Sequence, residues 1–526
     1  MPRAIPVSSS SVEVVTKIET HQIKIIEDMR FTLSVIIVSL VFASCGVSKS
    51  SFRSGHKYSP KEVEYDYRVF ENVLKESHPG LYWYTSRDSM DYYFNEGEKQ
   101  LKDSMTEPEF RKVLSYVVSK IDCGHTSVKA SKHYMRRVDS SRFQIFPLSL
   151  KLWDDTVTVA ANLNRSDSIL RRGTVVTAIN NKNIKEITDT IFQYLPADGY
   201  NRTHKFQTLS NRGTFGYSYT SIFGLSDKYT INYIDSAGET KSVTIPVYNP
   251  LKDSVNRRPA RELVKTTRKE RKQAGLSGAR QLQIDTENKT ATMDVNTFSR
   301  GYRLKRFFRR SFRRLHDNDI QYLIIDLRGN GGGNVMNSTL LSKFLIDKPF
   351  RLADSLYAIS RHNAYSRYVQ NYFFNRVFMW FTTKKRSDGY YHFGYFERHY
   401  FKPKKKYHFD GQTYILIGGN SFSATSLFTE SVIDEDNVIV VGEETGGGAY
   451  GNTAWLIPDV VLPETRVRFR LPLFRLVINK NNPKNGRGIL PEIEVKPTVE
   501  AIRNGRDYKM DKVKELIKAD REKKKL

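Results

Sequence analysis

The stretch YILIGGNSFSATSLFTES, Tyr414–Ser431, decides the fold. Its first four residues are an apolar run of strand length that stops on Gly418-Gly419. The chain then passes Ser421 and Ser423 and enters a pattern that reads as a helix over 424–432. Strand, tight turn and helix in that order form half of a βαβ unit, and such units build parallel sheets. The hydroxyls at the turn have two readings. They cap the helix, or one of them is a nucleophile held at the helix N-terminus. There the next backbone N–H, that of Ala424, and the helix dipole would favour developing negative charge.

The same grammar recurs upstream. A strand, Tyr322-Leu-Ile-Ile325, runs into the loop Asp326-Leu-Arg-Gly-Asn-Gly-Gly-Gly333 and then into a helix expected over 335–345. Consecutive glycines let backbone N–H groups approach a ligand with no side chain between. No Gly-Lys-Ser/Thr follows and the spacing is wrong for a dinucleotide, so the loop is not a phosphate cradle. It is an anion-facing turn or simply a tight one. A strand at 291–298, a helix with Leu304, Phe307, Phe308, Phe312 and Leu315 on one face, and a strand at 438–441 complete an α/β core over 286–502. Inside it, 372–409 is an aromatic and basic insertion, read first as a packed hairpin and second as a substrate- or membrane-facing flap.

Before the core the pattern changes twice. Over 61–142 apolar residues recur at helical spacing (Val69, Phe70, Val73, Leu74; Phe110, Val113, Leu114, Val117), which predicts a helical domain ending at Asp122-Cys-Gly-His125. Over 143–250 strand-like alternation takes over, and LRRGTVVTAINNKNIKEITDTI reads turn, strand, Asn-rich turn, helix. That run resembles a PDZ domain. Residues 251–285 are dense in Lys and Arg and read as a solvated linker; 503–526 read as a basic C-terminal helix or tail. The fold class is therefore multidomain α/β.

The N-terminus reads as a targeting segment. Met29-Arg30 precedes FTLSVIIVSLVFASC, an apolar stretch too short to span a bilayer comfortably, with small residues before Cys45. It resembles a bacterial lipoprotein signal within a leader of 1–45, with Met29 as the expected start, Cys45 as the lipidated residue and 46–60 as a tether. The expected location is the bacterial cell envelope, lipid-anchored and facing the periplasm. The only other cysteine, Cys123, would then be a free thiol. No Cys/His cluster has zinc spacing, and neither metal nor cofactor is expected. The net charge of +27 fits an anionic envelope surface. Nucleic acid is not expected as a partner, and the oligomeric state is not legible.

Three pieces carry chemistry. A serine hydroxyl needs a positioned base, and among eleven histidines only His125 follows a helix-breaking Asp-x-Gly. Asp-x-Gly-His-Thr at 122–126, Asp-Leu-Arg-x-Asn-x-Gly-Gly at 326–333, Asn-Ser-Phe-Ser-Ala-Thr at 420–425, Gly-Glu-Glu-Thr-Gly-Gly-Gly at 442–448 and Gly-Ile-Leu-Pro-Glu at 488–492 occur in one order along the chain. In that order they resemble the tail-specific, or C-terminal-processing, serine peptidases, and more closely their tricorn-like branch. The resemblance implies a crotonase- or ClpP-like spiral core and cleavage of a peptide or protein substrate. It implies Ser423 as nucleophile, with Ser421 and Thr425 in support. Gly332 or Gly333 and Ala424 would supply the oxyanion hole, and His125 the base. Where one branch carries a lysine base this chain has Gly448, and no lysine lies between Ser423 and Lys480. The tricorn type places a serine just before the histidine; here it is Gly124. Asp122, Glu443, Glu444 and Glu492 are candidates to orient the imidazole. The alternative is a catalytically inactive binding protein on the same scaffold.

Overall fold

The computed structural model describes residues 55–140, 143–251 and 266–525. The leader with Cys45 lies outside the described residues, so the lipidation site has no structural account. Residues Lys57–Tyr58, expected in the tether, pair instead with Met105–Thr106 inside the helical domain. Helices Pro60–Ser77, Arg87–Glu98 and Glu107–Ser119 follow, the first and third opened by Ser59…Glu62 and Thr106…Glu109 capping boxes.

The core sheet has six strands in the order Arg280–Asp285, Thr290–Val295, Tyr322–Asp326, Gln412–Ile417, Val438–Gly442, Ile493–Glu494. The first pair is antiparallel and the rest are parallel. Alternate residues of the central strands face opposite layers, as period-two side chains must. Leu323, Ile325, Ile415 and Ile417 pack with Phe307, Phe308 and Phe312 of the helix Leu304–Asp317. Tyr322, Ile324, Tyr414 and Leu416 pack on Val513 and Ile517 of the C-terminal helix Tyr508–Lys525. A parallel sheet needs both faces covered, and the segment expected to be a basic C-terminal helix or tail is that second cover.

Two further expectations are corrected. The basic linker ends early: Thr267 and Glu270 form a capping box for a helix, Arg268–Ala279, which leads straight into the edge strand. Alternation of exposed Gln281, Gln283 and Asp285 with half-buried Leu282 and Ile284 on that edge disguised it as loop. The insertion is not just a packed hairpin. It is a helix, Tyr372–Thr382, then a short hairpin of Lys384–Lys385 with Tyr391–His392, then the helix Gly394–Arg398.

Between helical domain and core lies an antiparallel module, Leu148–Trp153, Thr156–Asn162, Val175–Ile179, Lys228–Ile234, Thr240–Pro246, with three helices. Its middle follows the expected turn, strand, turn, helix order, and Asn180 and Asn181 adopt the positive φ of 50° and 64° that a tight hairpin turn requires. Two contacts among several stitch the helical domain to the core. Val128–Lys129 pairs with Arg468–Phe469. Buried Asp66 accepts hydrogen bonds from Thr465 N (2.7 Å), Thr465 Oγ1 (2.6 Å) and Glu464 N (3.0 Å).

Candidate active site

The turn after the strand Gln412–Ile417 is held from below. Gly418 N donates to Ser421 Oγ (3.1 Å) and Ser421 Oγ donates to Leu327 O (2.9 Å). Thr425 Oγ1 donates to Asn330 O (2.9 Å), which also accepts from Phe422 N (3.1 Å). Both hydroxyls are buried and fully engaged, which ties the serine turn to the glycine loop. Ser423 is different. It is half-buried, its hydroxyl makes no hydrogen bond, and it has φ 60° and ψ −119°. A non-glycine residue held there stores roughly 1–3 kcal/mol of strain, which persists only where the surroundings enforce it. The strain lifts one free hydroxyl out at the mouth of the helix Ala424–Val432.

Asn330 organises the opposing loop. Its side chain donates to Val295 O (2.9 Å) and accepts from Gly332 N (2.9 Å). Gly332, at φ 93°, presses so closely on the serine turn that a Cβ would lie 2.6 Å from Phe422 O and 2.8 Å from Ser423 Cβ. The Gly332 N–H is thus occupied, which removes it from the candidate oxyanion donors. The N–H groups of Gly333 and Ala424 have no partner among the described residues.

His125 reaches this turn from the helical domain. Its ring, buried, stacks on Phe422 at 4.4 Å between centroids and 27° between planes. Neither ring nitrogen makes a well-aligned hydrogen bond, yet Nδ1 lies 3.4 Å from Asp198 Oδ1. The backbone here has no room for a side chain, because a Cβ on Gly124 would sit 2.7 Å from Phe422 Cζ. That contact explains the glycine where the resemblance places a serine.

Asp198 was absent from the candidates and is the acid the structure supplies. It comes from the antiparallel module, in Pro196-Ala-Asp-Gly199, and is buried against the histidine turn. Gly124 N donates to its Oδ1 (2.8 Å) and Gly448 N to its Oδ2 (3.4 Å). Burial alone would raise this carboxyl. The nearby His125, the Gly124 N–H and the positive field of Arg475 outweigh it and hold the group below the usual carboxylate range. Gly448, at the position of the other branch's lysine, therefore anchors the acid instead. Arg475, also buried, lies 3.0 Å from the Trp83 ring centroid, and its Nε and Nη2 have no hydrogen-bond partner.

The four acids considered from sequence are engaged elsewhere. Glu444 holds Arg487 (2.8 Å) and Gly488 N (2.7 Å). Glu443 pairs with Lys509 (2.6 Å), and Glu492 accepts from Val440 N (3.1 Å). Asp122, at φ 53°, accepts Gly199 N on its backbone carbonyl (2.8 Å). Burial pushes its carboxyl up to about 6, against the pull of Lys205 and Lys120. An acid whose folded pKa is raised takes up a proton on folding, so stability falls as pH rises from about 4 to about 6. Asp122→Asn, which tolerates positive φ, is expected to flatten that segment of a urea-midpoint-versus-pH curve and to raise the midpoint at pH 7.

A second histidine was also missed. His204 stacks on Phe422 at 4.8 Å, and its Nδ1 bonds Gly419 O (2.7 Å). Burial lowers its pKa despite that bond. Cys123 is a buried free thiol 2.8 Å from Thr453 Oγ1, with its pKa raised by burial, so it is inert packing. Among the described residues, a cleft of about 750 Å³ between helical domain and antiparallel module shares Asp122 and Gly199 with this seam, but neither Ser423 nor His125.

Comparison with known proteins bears on the fold and on the core domain. No curated protein sequence matches the chain. Residues 289–495 match Peptidase family S41. Among solved structures, mature CPAF complexed with lactacystin aligns with a TM-score of 0.60 and 15% identity over 87% of this chain and 98% of that one. Mature CPAF alone gives 0.59 and 14% over 87% and 97%. At such identities the likeness is one of fold. By that match, residues 289–495 form a Peptidase family S41 domain, and the chain is a serine-type peptidase.

Proposed function

We propose that the peptidase works through Ser423, His125 and Asp198. The observation that carries this is a complementary pair of unsatisfied groups. A strained serine presents a hydroxyl with no partner, and the adjoining turn holds a buried imidazole with no aligned partner but a carboxylate on its Nδ1 side. Leaving a buried imidazole nitrogen unpaired is costly and suits a group that waits for a proton.

Ser423 Oγ attacks the substrate carbonyl as His125 Nε2 takes its proton. Asp198 fixes the ring with its proton on Nδ1 and stabilises the imidazolium, and the 3.4 Å contact shortens once charge develops. The N–H groups of Ala424 and Gly333 hold the oxyanion. His125 then gives its proton to the leaving amine, and water, activated by the same ring, releases the acyl group. The substrate is a peptide or an unfolded protein segment, and the 143–250 module is a PDZ-like element beside the site. The chain sits in the bacterial envelope, tethered through Cys45 on the periplasmic side.

A fluorophosphonate probe tests the site directly. Covalent labelling is expected at Ser423, lost in Ser423→Ala and strongly slowed in His125→Ala. Folded protein that stays unlabelled would favour the inactive binding scaffold. Labelling that survives His125→Ala but is lost in His204→Ala would move the base to His204.

A further inference from the structure

We infer that the helix Tyr372–Thr382 is a membrane-interface anchor that lays an aromatic face into an anionic lipid surface. It does not depend on the serine site or on acylation of Cys45. The helix is amphipathic with the wrong side out. Phe373, Phe374, Trp380 and Phe381 are 70%, 72%, 64% and 75% exposed, and Val377 and Phe378 are exposed as well. At about 100° per residue these six fall on one unbroken arc of about 160°. The single fully buried member, Met379, lies on the opposite side with half-buried Tyr372 and Asn375. Surface helices of soluble domains put their apolar stripe on the core; this one turns it to solvent. So contiguous an apolar patch marks an interaction site.

Charge and size choose the occupant. No acid occurs between Tyr372 and Arg386, while Arg376 borders the arc and Lys384 and Lys385 follow it, all exposed; Arg386 is paired with Glu397. Aromatic rings flanked by Lys and Arg are the pattern of helices that lie in the headgroup region of anionic bilayers. The helix is 11 residues, about 16 Å long, too short to cross a core of about 30 Å and long enough to lie along its boundary. A second copy is the weaker fit. Face-to-face pairing would bring like charges together, and one short helix offers only a fraction of the roughly 800 Å² per partner that stable interfaces bury.

The test uses the full chain carrying Cys45→Ala, so that no acyl chain contributes. It is mixed with phosphatidylethanolamine/phosphatidylglycerol vesicles, with and without brominated acyl chains, and with phosphatidylcholine vesicles for comparison. A component of tryptophan fluorescence quenched by brominated lipid, absent in Trp380→Phe, is expected with the anionic vesicles and weakened by salt. Phe373→Ser/Phe374→Ser/Phe381→Ser should cut vesicle co-sedimentation about tenfold or more while peptide hydrolysis in solution and thermal midpoint stay unchanged. No quenching specific to Trp380 overturns the inference. So does a dimer in solution that the triple variant converts to monomer, or a triple variant that loses peptide hydrolysis but keeps its lipid binding.

Discussion

Ser423→Ala is expected to lower kcat for peptide hydrolysis by about six orders of magnitude, to the level that substrate binding and backbone donors alone sustain. The size follows from the chemistry: without the hydroxyl no acyl-enzyme forms, and nothing else at the turn can replace it. Ser421 and Thr425 each donate to a backbone carbonyl and are buried beneath the loop. The same position makes a stability prediction of opposite sign. Because residue 423 sits at φ 60°, Ser423→Gly should raise the thermal midpoint above that of Ser423→Ala, by an increment worth about 1 kcal/mol. Measured together, kcat and melting curves separate a catalytic loss from a folding defect. An Ala variant that retains wild-type turnover removes Ser423 from the mechanism.

The second large effect falls on Asp198. Asp198→Asn keeps an acceptor for Gly124 N but presents an amide to the ring, and kcat should drop by about four orders of magnitude through the wrong tautomer. Because Asp198 acts through His125, the discriminating readout is the pH profile. Loss of the carboxylate should move the acid limb of kcat/KM to lower pH, since the imidazolium loses its counter-charge. Linkage adds a stability signature. Asp198 is held below the usual carboxylate range, so it contributes stability above the unfolded pKa that is lost as pH falls through the folded value. The wild type should therefore lose more stability than Asp198→Asn below about pH 4. His204→Ala, which shares the Phe422 contact but lacks the acid, should change kcat by less than about tenfold and serves as the control.

What could be seen in the chain beforehand was whatever local chemistry encodes. The strand, turn and helix at 412–432, the glycine loop and the phenylalanine face of Leu304–Asp317 each announce themselves within a window of a dozen residues. Asp198 could not be found that way. In Leu195-Pro-Ala-Asp-Gly-Tyr200 it is an ordinary turn aspartate, and its meaning arises only when that turn meets a histidine from another module. The acids favoured from sequence stood close to the motifs, and proximity along the chain misled. Glu443 and Glu444 had already been claimed by Lys509 and Arg487, which lie far downstream. The packing role of the C-terminal helix was hidden for a related reason. Its lysines dominate the composition, while the few apolar residues that matter, Val513 and Ile517 among them, become a core layer only against a sheet whose second face is otherwise bare.

The loop that carries Asp198 is also a wedge. Gly199 N bonds Asp122 O of the helical domain, Tyr200 N bonds Gly486 O of the core (2.9 Å), and a Cβ on Gly199 would lie 2.4 Å from Gly486 Cα. The proposed nucleophile, base and acid thus come from three different stretches of the chain, packed into one compact unit. On the proposed mechanism an incompletely folded chain should be inert towards its neighbours, because the three groups meet only once all three stretches have packed. Mild stress that slackens the Asp198 loop should switch the molecule off, reversibly, before the rest of the fold melts.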